Sequence, residues 1–399
     1  MAYLSENYMY LFGGIYMSDF TNLTTFLNER LEGNFMPGFD CRVFHNGIEV
    51  YRHMNGYSDI ENKIKVNGDE AYFMYSCTKP VTCAAAMKAF EEGKFLFTDN
   101  VSDFLPEFAD CVVKIEKEDG TIEYEKLKRP IRIQDLFTMS SGIIGYRRQP
   151  NIATAIKGKE ESVTTREMTK AIACAPLEFQ PGEDYLYGLS HDVLACLVEV
   201  AVGMSFNDYV KKVIFEPLEM HNSSYRLTNE LKKRLAQQYT RDITTREISV
   251  FGKHNFAVSS NLHDSGGAGL ITTMEDYSKF ACAMANFGLG LNGNRILNKS
   301  TVNLMRTNLL KGKPFESFRL WAGNAEYGYG YGVRTKMEPG WGGNLTSIGE
   351  FGWDGAAGSL ISIDPDRNIA IIYLQHMLNP YLLEIHPRIK NMVHLALGY

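Results

Sequence analysis

The stretch AYFMYSCTKPVTCAAAMKAFEEG, residues 71–93, decides the reading of this chain. From Thr78 to Glu92 the pattern is helical and rich in small residues, and it stops at Gly93. Ser76 therefore stands where an extended segment enters a buried helix. Serine is a weak nucleophile at neutral pH and needs a base beside it. In a helix that opens at Ser76, the residue three positions on returns to the same face one turn later, which brings Lys79 to the Ser76 hydroxyl. The helix N-terminus turns N–H groups to the same place and favours negative charge there. A lysine buried beneath a substrate has its charged form disfavoured and becomes able to take a proton. Alone, the pattern is weak. A chain of this length holds about one Ser-x-x-Lys by chance, and a helix cap followed by a surface lysine reads the same way.

Two later segments strengthen it. Pro181-Gly182 turns the chain into a short extended piece that delivers Tyr187 just before the apolar helix VLACLVEVAVG. A tyrosine beside an ammonium loses its proton more easily and can shuttle one between nucleophile and leaving group. Further on, Gly352-Trp353-Asp354-Gly355-Ala356-Ala357-Gly358-Ser359 lies between two strand-like runs. An edge strand of small residues lets a substrate lie alongside and offers an N–H to an oxyanion. Read singly, these two are a core tyrosine and a Gly-rich turn.

Together and in order, the three segments resemble the β-lactamase-like serine hydrolase superfamily: serine β-lactamases, penicillin-binding D,D-peptidases, and carboxylesterases and transesterases related to class C β-lactamases. The resemblance runs from about Gly38 to His376, and IRIQDLFTMSSGI, PGEDYLYGLSHDVLACLVEVAVG and GGAGLITTMEDYSKFACAM add to it. It implies Ser76 as the acylated nucleophile, Lys79 as its lysine, and Tyr187 as the tyrosine of a Tyr-x-Asn motif. Trp353-Asp354-Gly355 takes the place of the Lys-Thr-Gly strand. The implied oxyanion hole is the N–H groups of Ser76 and Ala356, with Tyr146 lining the acyl pocket. Leu189, Trp353, Asp354 and Gly355 are then the expected substrate-side positions. Two departures matter. Leu189 stands where a lactamase has an amide-orienting Asn, and Trp353 replaces the cation that grips a substrate carboxylate. An exposed Asp354 would repel such an anion. The resemblance thus implies an esterase acting on short to medium acyl esters. The alternatives are a β-lactamase or D,D-peptidase, an acyltransferase, and a non-catalytic acyl-binding module. No cofactor and no metal is expected.

The totals agree with that class. The 399 residues are 45% hydrophobic and 22% charged, with net charge −6, so the chain can bury a sizeable core and carries no basic footprint for nucleic acid. Seven scattered cysteines without a C-x-x-C give neither a disulfide framework nor a zinc site and suit a reducing compartment. No apolar run is long enough to span a bilayer, and the N-terminus is a poor signal peptide. The expectation is a cytoplasmic enzyme with a small-molecule ester or acyl partner, its oligomeric state open.

Along the chain, residues 18–32 read as a capped amphipathic helix. GFDCRVFHNGIEVYRHMNGYSD reads as a hairpin turning at Asn46-Gly47, and VKIEKEDGTIEYEKLKRPI as a solvated surface hairpin. A helix is expected from Arg132 to Gly142, another over 274–286, and a last one over 382–397. Strands at both ends with helices between give an α+β fold. Its antiparallel sheet comes from residues 1–100 and 262–399 and is flanked by helices, with a mostly helical inserted domain at 101–261. Gly188-Leu189-Ser190-His191-Asp192 imitates a nucleophile elbow, but Ser190 reads as a helix cap, and Lys79 and Tyr187 already fill the role His191 would take. Cys77 reads as packing.

Overall fold

The computed structural model describes residues 18–145, 150–252, 260–321, 325–340 and 342–399, together with the backbone of the strands Met9–Leu11 and Gly14–Tyr16. Its centre is an eight-stranded, wholly antiparallel sheet. In chain order the strands are β1 (Gly38–His45), β2 (Ile48–Asp59), β3 (Ile64–Lys65), β4 (Tyr327–Tyr329), β5 (Arg334–Lys336), β6 (Phe351–Asp354), β7 (Leu360–Asp364) and β8 (Ile369–Leu374). In space the order is β4-β5-β6-β7-β8-β1-β2-β3, so the two ends of the chain meet where β8 pairs with β1, from Ile369 opposite His45 to Leu374 opposite Asp40.

The β1–β2 hairpin turns where Asn-Gly predicts. Asn46 and Gly47 sit at φ +53° and +76°, the pair of positive values a two-residue hairpin loop requires. β8 shows why the sheet is apolar without alternation. Its odd residues Ile369, Ile371 and Tyr373 pack with Leu23, Phe26 and Leu27 of α1 (Thr21–Glu32) and with Ile385, Ile389 and Val393 of the C-terminal helix. Its even residues Ala370, Ile372 and Leu374 join the main core on the other side. Both faces are covered, so both sets of side chains are buried.

That main core runs without interruption into the segment between the sheet's two parts. It contains Met74 and Val81 of the nucleophile region, Ile133 and Leu136, Val193 to Val198, and Phe280. Each such aliphatic side chain contributes about 1.5–3 kcal/mol when fully buried. Residues 101–261 carry most of the short helices, the solvated hairpin Val112–Glu116 with Ile122–Lys126, and a small sheet in which Tyr239–Arg241 pairs with Ile248–Val250.

Four helices matter for the site: α2 (Thr78–Glu91), α3 (Ile133–Phe137), α4 (Ser190–Val202) and, after α5 (Met274–Ala285), the helix α6 (Lys313–Leu320). The C-terminal helix is α7 (Leu382–Ala396). α3 ends five residues before the expected Gly142. Thr138 donates its hydroxyl to the Gln134 carbonyl at 2.9 Å, and Met139 then takes a left-handed φ of +56°. The residues freed from the helix pair with the approach to Tyr187 instead. The N–H groups of Glu178, Gly182 and Leu186 donate to the carbonyls of Gly142, Ser140 and Met139 at 2.8–2.9 Å.

Among the described residues no single helix is long and apolar enough to cross a membrane. The pair Ser190–Val202 and Phe206–Phe215 passes on length and composition together but is bent by 77°.

Candidate active site

Ser76 lies not in α2 itself but in a one-turn 3₁₀ segment, Tyr75–Cys77, that precedes it. The strand Ala71–Phe73 pairs antiparallel with Ile271–Thr273, and Met74 donates its N–H to Leu270 O at 2.9 Å. Tyr75 is then held at φ +47°. For a residue with a side chain this conformation costs on the order of 1–3 kcal/mol and persists only where the surroundings over-determine it. Tyr75 OH accepts a hydrogen bond from Gln238 Nε2, and Tyr277 OH donates to Cys77 O at 2.7 Å. The end of β6 presses on the same turn: a Cβ at Gly355 would stand 2.8 Å from Met74 O. The Cys77 thiol points back to the Trp353 and Ser359 carbonyls, at 3.5 and 3.7 Å, and is packing as expected.

From that turn the α2 spacing brings Lys79 Nζ to 3.2 Å from Ser76 Oγ. Lys79 is buried, and its second acceptor is Gly267 O at 2.8 Å. The turn carrying that carbonyl is fixed from below, where Ser265 Oγ donates to Asp192 Oδ1 of α4 at 2.5 Å. Lys79 Nζ also stands over the Tyr187 ring, 4.5 Å from its centroid. The Tyr187 oxygen accepts the indole N–H of Trp353 at 3.0 Å. The two rings are near-parallel at 5.6 Å, and Trp321, just past the end of α6, stacks on Tyr187 at 4.8 Å. One side of the pocket is thus aromatic: Tyr185, Tyr329 and Phe318 pack behind Trp353 and Tyr187.

A scan against family descriptions matches this chain to "Beta-lactamase" over residues 24–385. The chain belongs to the Beta-lactamase family. Among relatives of this family, Protein Rv1367c of Mycobacterium tuberculosis is 28% identical over 331 residues, covering 80% of this chain and 81% of that protein. Two solved structures share the fold. One is EstCE1, described as a hydrolase with promiscuous acyltransferase activity. Its TM-score is 0.74 at 22% identity, over 95% of this chain and 100% of that one. The other is simvastatin synthase (LovD) from Aspergillus terreus, with a TM-score of 0.80 at 20% identity, over 95% and 99%.

Against that family frame, the structure brings Ser76, Lys79 and Tyr187 together, and it changes the picture at several other positions. Trp353 is 4% exposed with its N–H already given to Tyr187, so it braces the tyrosine from inside the wall. Asp354 is not a free charge facing the substrate, as an exposed carboxylate there would be. Arg334 Nη1 reaches it at 2.6 Å and His386 Nδ1 at 2.9 Å. Burial works to raise this carboxyl, and the Arg334 guanidinium and the His386 ring overcome it, holding it well below the usual carboxylate range. The Gly355 N–H is committed to Ser359 O at 2.8 Å, which makes Gly355 a packing and turn residue. Ala356 is exposed at that turn, and among the described residues its N–H has no partner. Leu189 is half-buried against the main core. Tyr146 lies outside the described residues.

Ser190 is the first residue of α4 and not its cap; its hydroxyl shares a 2.9 Å hydrogen bond with Ser141 Oγ. Among the described residues His191 pairs with no serine. It sits beneath Lys79, bonded to Phe137 O at 3.2 Å, and burial first, then the Lys79 charge, push it down to about 3. Sequence reasoning missed Gly267, Trp321, Arg334 and His386. GGAGLITTMEDYSKFACAM carried a family signal at Gly267 but no hint that its carbonyl holds Lys79.

Proposed function

We propose that this chain is a serine hydrolase that cleaves carboxylic esters through an acyl group carried on Ser76. The reading rests on one observation above the rest. Ser76 Oγ has a proton carrier, Lys79 Nζ, at 3.2 Å, and that carrier lies against Tyr187, whose oxygen is fixed by the Trp353 N–H. In the proposed cycle the Ser76 oxygen attacks the ester carbonyl, and its proton passes to Lys79 with Tyr187 assisting. The carbonyl oxygen becomes an oxyanion against the N–H groups of Ser76 and Ala356. As the C–O bond to the alcohol breaks, Tyr187 returns the proton to the leaving oxygen. Water then attacks the acyl-serine by the reverse proton path and frees the carboxylic acid.

The expected substrate is a neutral, short to medium acyl ester. The basic groups nearest the end of β6, Arg334 of β5 and His386 of α7, are both taken by Asp354. The lining beside Tyr187 is aromatic, so little here favours the anionic substrate of a β-lactamase or D,D-peptidase. A second reading, acyl transfer to an acceptor alcohol, has the same first half and draws support from the printed description of EstCE1. A cytoplasmic location belongs to the same proposal, and the seven cysteines, all free thiols, fit it.

The test is turnover of p-nitrophenyl butyrate beside a chromogenic cephalosporin. Ester cleavage outruns lactam cleavage in the wild type. Ser76→Ala loses more than about a thousandfold and its fluorophosphonate labelling. Turnover within a few-fold of wild type in Ser76→Ala or Tyr187→Phe would overturn the mechanism.

A further inference from the structure

The oxyanion position assigned to Ala356 N–H sits on a short turn, Gly355–Ser359, whose Ala357 joins a small apolar cluster with Tyr75 and Leu231. The turn closes on itself through Gly355 N–H to Ser359 O at 2.8 Å and Gly358 N–H to Gly355 O at 2.9 Å. The Cys77 thiol reaches Ser359 O at 3.7 Å and the Met377 N–H reaches Ala357 O at 3.0 Å, and a further tie comes from the far end of the chain. His386, on α7 and buried, places Nδ1 at 2.9 Å from Asp354 Oδ1 and Nε2 at 3.1 Å from Gly358 O. Both partners are acceptors, so both contacts are satisfied together only when both ring nitrogens carry hydrogen.

The surroundings are charged on several elements. Arg334 on β5 bonds the other Asp354 oxygen at 2.6 Å. Lys390 on α7 bonds Tyr327 OH on β4 at 2.6 Å, and Tyr327 donates to Glu350 Oε2 at 3.0 Å. The Tyr373 ring of β8 meets the edge of His386 at 6.0 Å. Arg334 thus balances the Asp354 charge, and His386 links that carboxylate to the turn.

We propose that His386 is the positioning residue of the oxyanion turn. It holds the Gly358 carbonyl from one side and the Asp354 end of β6 from the other, so that the Ala356 N–H stays aimed at the developing oxyanion. The inference rests on the Ser76 acyl-enzyme reading above. A donor aimed in advance acts on the transition state more than on the bound ester, so losing the brace should lower kcat and leave KM nearly unchanged.

The experiment uses the full chain with His386→Gln and His386→Phe, rates taken per fluorophosphonate-titrated Ser76. An alkylboronic acid, whose boron accepts the Ser76 oxygen and becomes a tetrahedral anion, serves as the oxyanion probe. The expected result is a fall in kcat of about tenfold to a hundredfold, part of what a whole oxyanion donor contributes. Boronate affinity falls in step, KM stays within about twofold, and Gln retains more than Phe. Unchanged kcat and boronate affinity per titrated site would overturn the proposal, whatever happens to the melting temperature. The wild-type chain gives a reading that needs no variant to fold: the His386 ring N–H proton resonances shift when the boronate adduct forms, and unshifted resonances would also overturn it. A Ser76→Ala chain that still turns over sinks the hydrolase reading itself; a dead Ser76→Ala with an indifferent His386 sinks the brace alone.

Discussion

Trp353→Phe asks a narrow question of the site. The substitution keeps an aromatic ring in the stack with Tyr187 and removes one atom group that matters, the N–H given to the Tyr187 oxygen at 3.0 Å. Trp353 is 4% exposed, so water does not simply replace that donor. A hydrogen bond to a neutral oxygen contributes about 1 kcal/mol net, and one to a charged oxygen about 1.5–3 kcal/mol. A tyrosine that stays neutral throughout keeps the same bond in free enzyme and transition state and loses almost nothing in kcat/KM, whereas one that gains negative charge loses the difference, about 0.5–2 kcal/mol or about two- to thirtyfold. The smaller ring also leaves a void that costs stability, so rates are taken per titrated Ser76 across a pH series with p-nitrophenyl butyrate. Repeating the change in a Tyr187→Phe background closes a double-mutant cycle. The bond has no acceptor there, so Trp353→Phe should cost almost nothing more. An equal loss in both backgrounds would refute the idea that Trp353 acts through Tyr187, and a loss under twofold in the wild type would refute its having any part in proton transfer.

Gly267→Ala places a methyl 2.5 Å from Asp192 Oδ2 and pushes the 265–269 turn off its seat. Its carbonyl then leaves Lys79 Nζ, and ester turnover should fall by tenfold or more, since displacements of about 1 Å can cost a hundredfold; Asp192→Ser in the same chain should restore part of it. Trp321→Ala removes the ring stacked on Tyr187 at 4.8 Å. Ring pairs contribute about 0.5–1.5 kcal/mol beyond buried area, so kcat/KM should drop about two- to tenfold, read by comparing aryl with ethyl esters. His376 is held neutral between two backbone groups, with Nδ1 at 2.9 Å from Ala236 O and the Phe73 N–H at 3.4 Å from Nε2, and burial pushes it down from 6.5 to about 4. The unfolded chain then binds a proton that the folded chain refuses. Stability is intact above about pH 6.5 and is lost as pH falls toward 4, by about 1.4 kcal/mol per unit and about 3 kcal/mol in all. Urea unfolding at pH 7 and pH 4.5 checks this, and His376→Asn should flatten the slope.

The parts of the fold that were legible are those that local chemistry decides. Asn46-Gly47 supplies two positive-φ residues in a row, which leaves the hairpin little choice. The Ser76 to Lys79 spacing survives even though the helix begins at Thr78, because a 3₁₀ turn also returns a residue three positions on to the same side. The misreadings have the opposite cause. Ser190 looks like a cap from its neighbours, but its hydroxyl finds Ser141, 49 residues earlier. α3 looks longer than it is because nothing in the sequence of Met139–Gly142 announces that those backbone groups will be claimed by 178–186. Lys79 is held by the backbone carbonyl of Gly267, 188 residues away, and a carbonyl leaves no mark on residue identity.

The exchange of a cation for Trp353 has a consequence that the residue alone does not show. Read as a deletion, it only removes a grip on carboxylates. In the structure, a cation remains at that end of the sheet, Arg334, but it is bonded to Asp354, which His386 holds as well. A substrate anion would have to compete with a carboxylate already held at 2.6 and 2.9 Å by groups that are 5% exposed. A neutral ester makes no such demand: it needs the charge only as its carbonyl oxygen turns negative, at the N–H of a turn tied to the same His386. In the ester reading proposed above, the same three residues weaken binding of an anionic ground state and favour an anionic transition state, a difference that counts for more than the loss of a lysine.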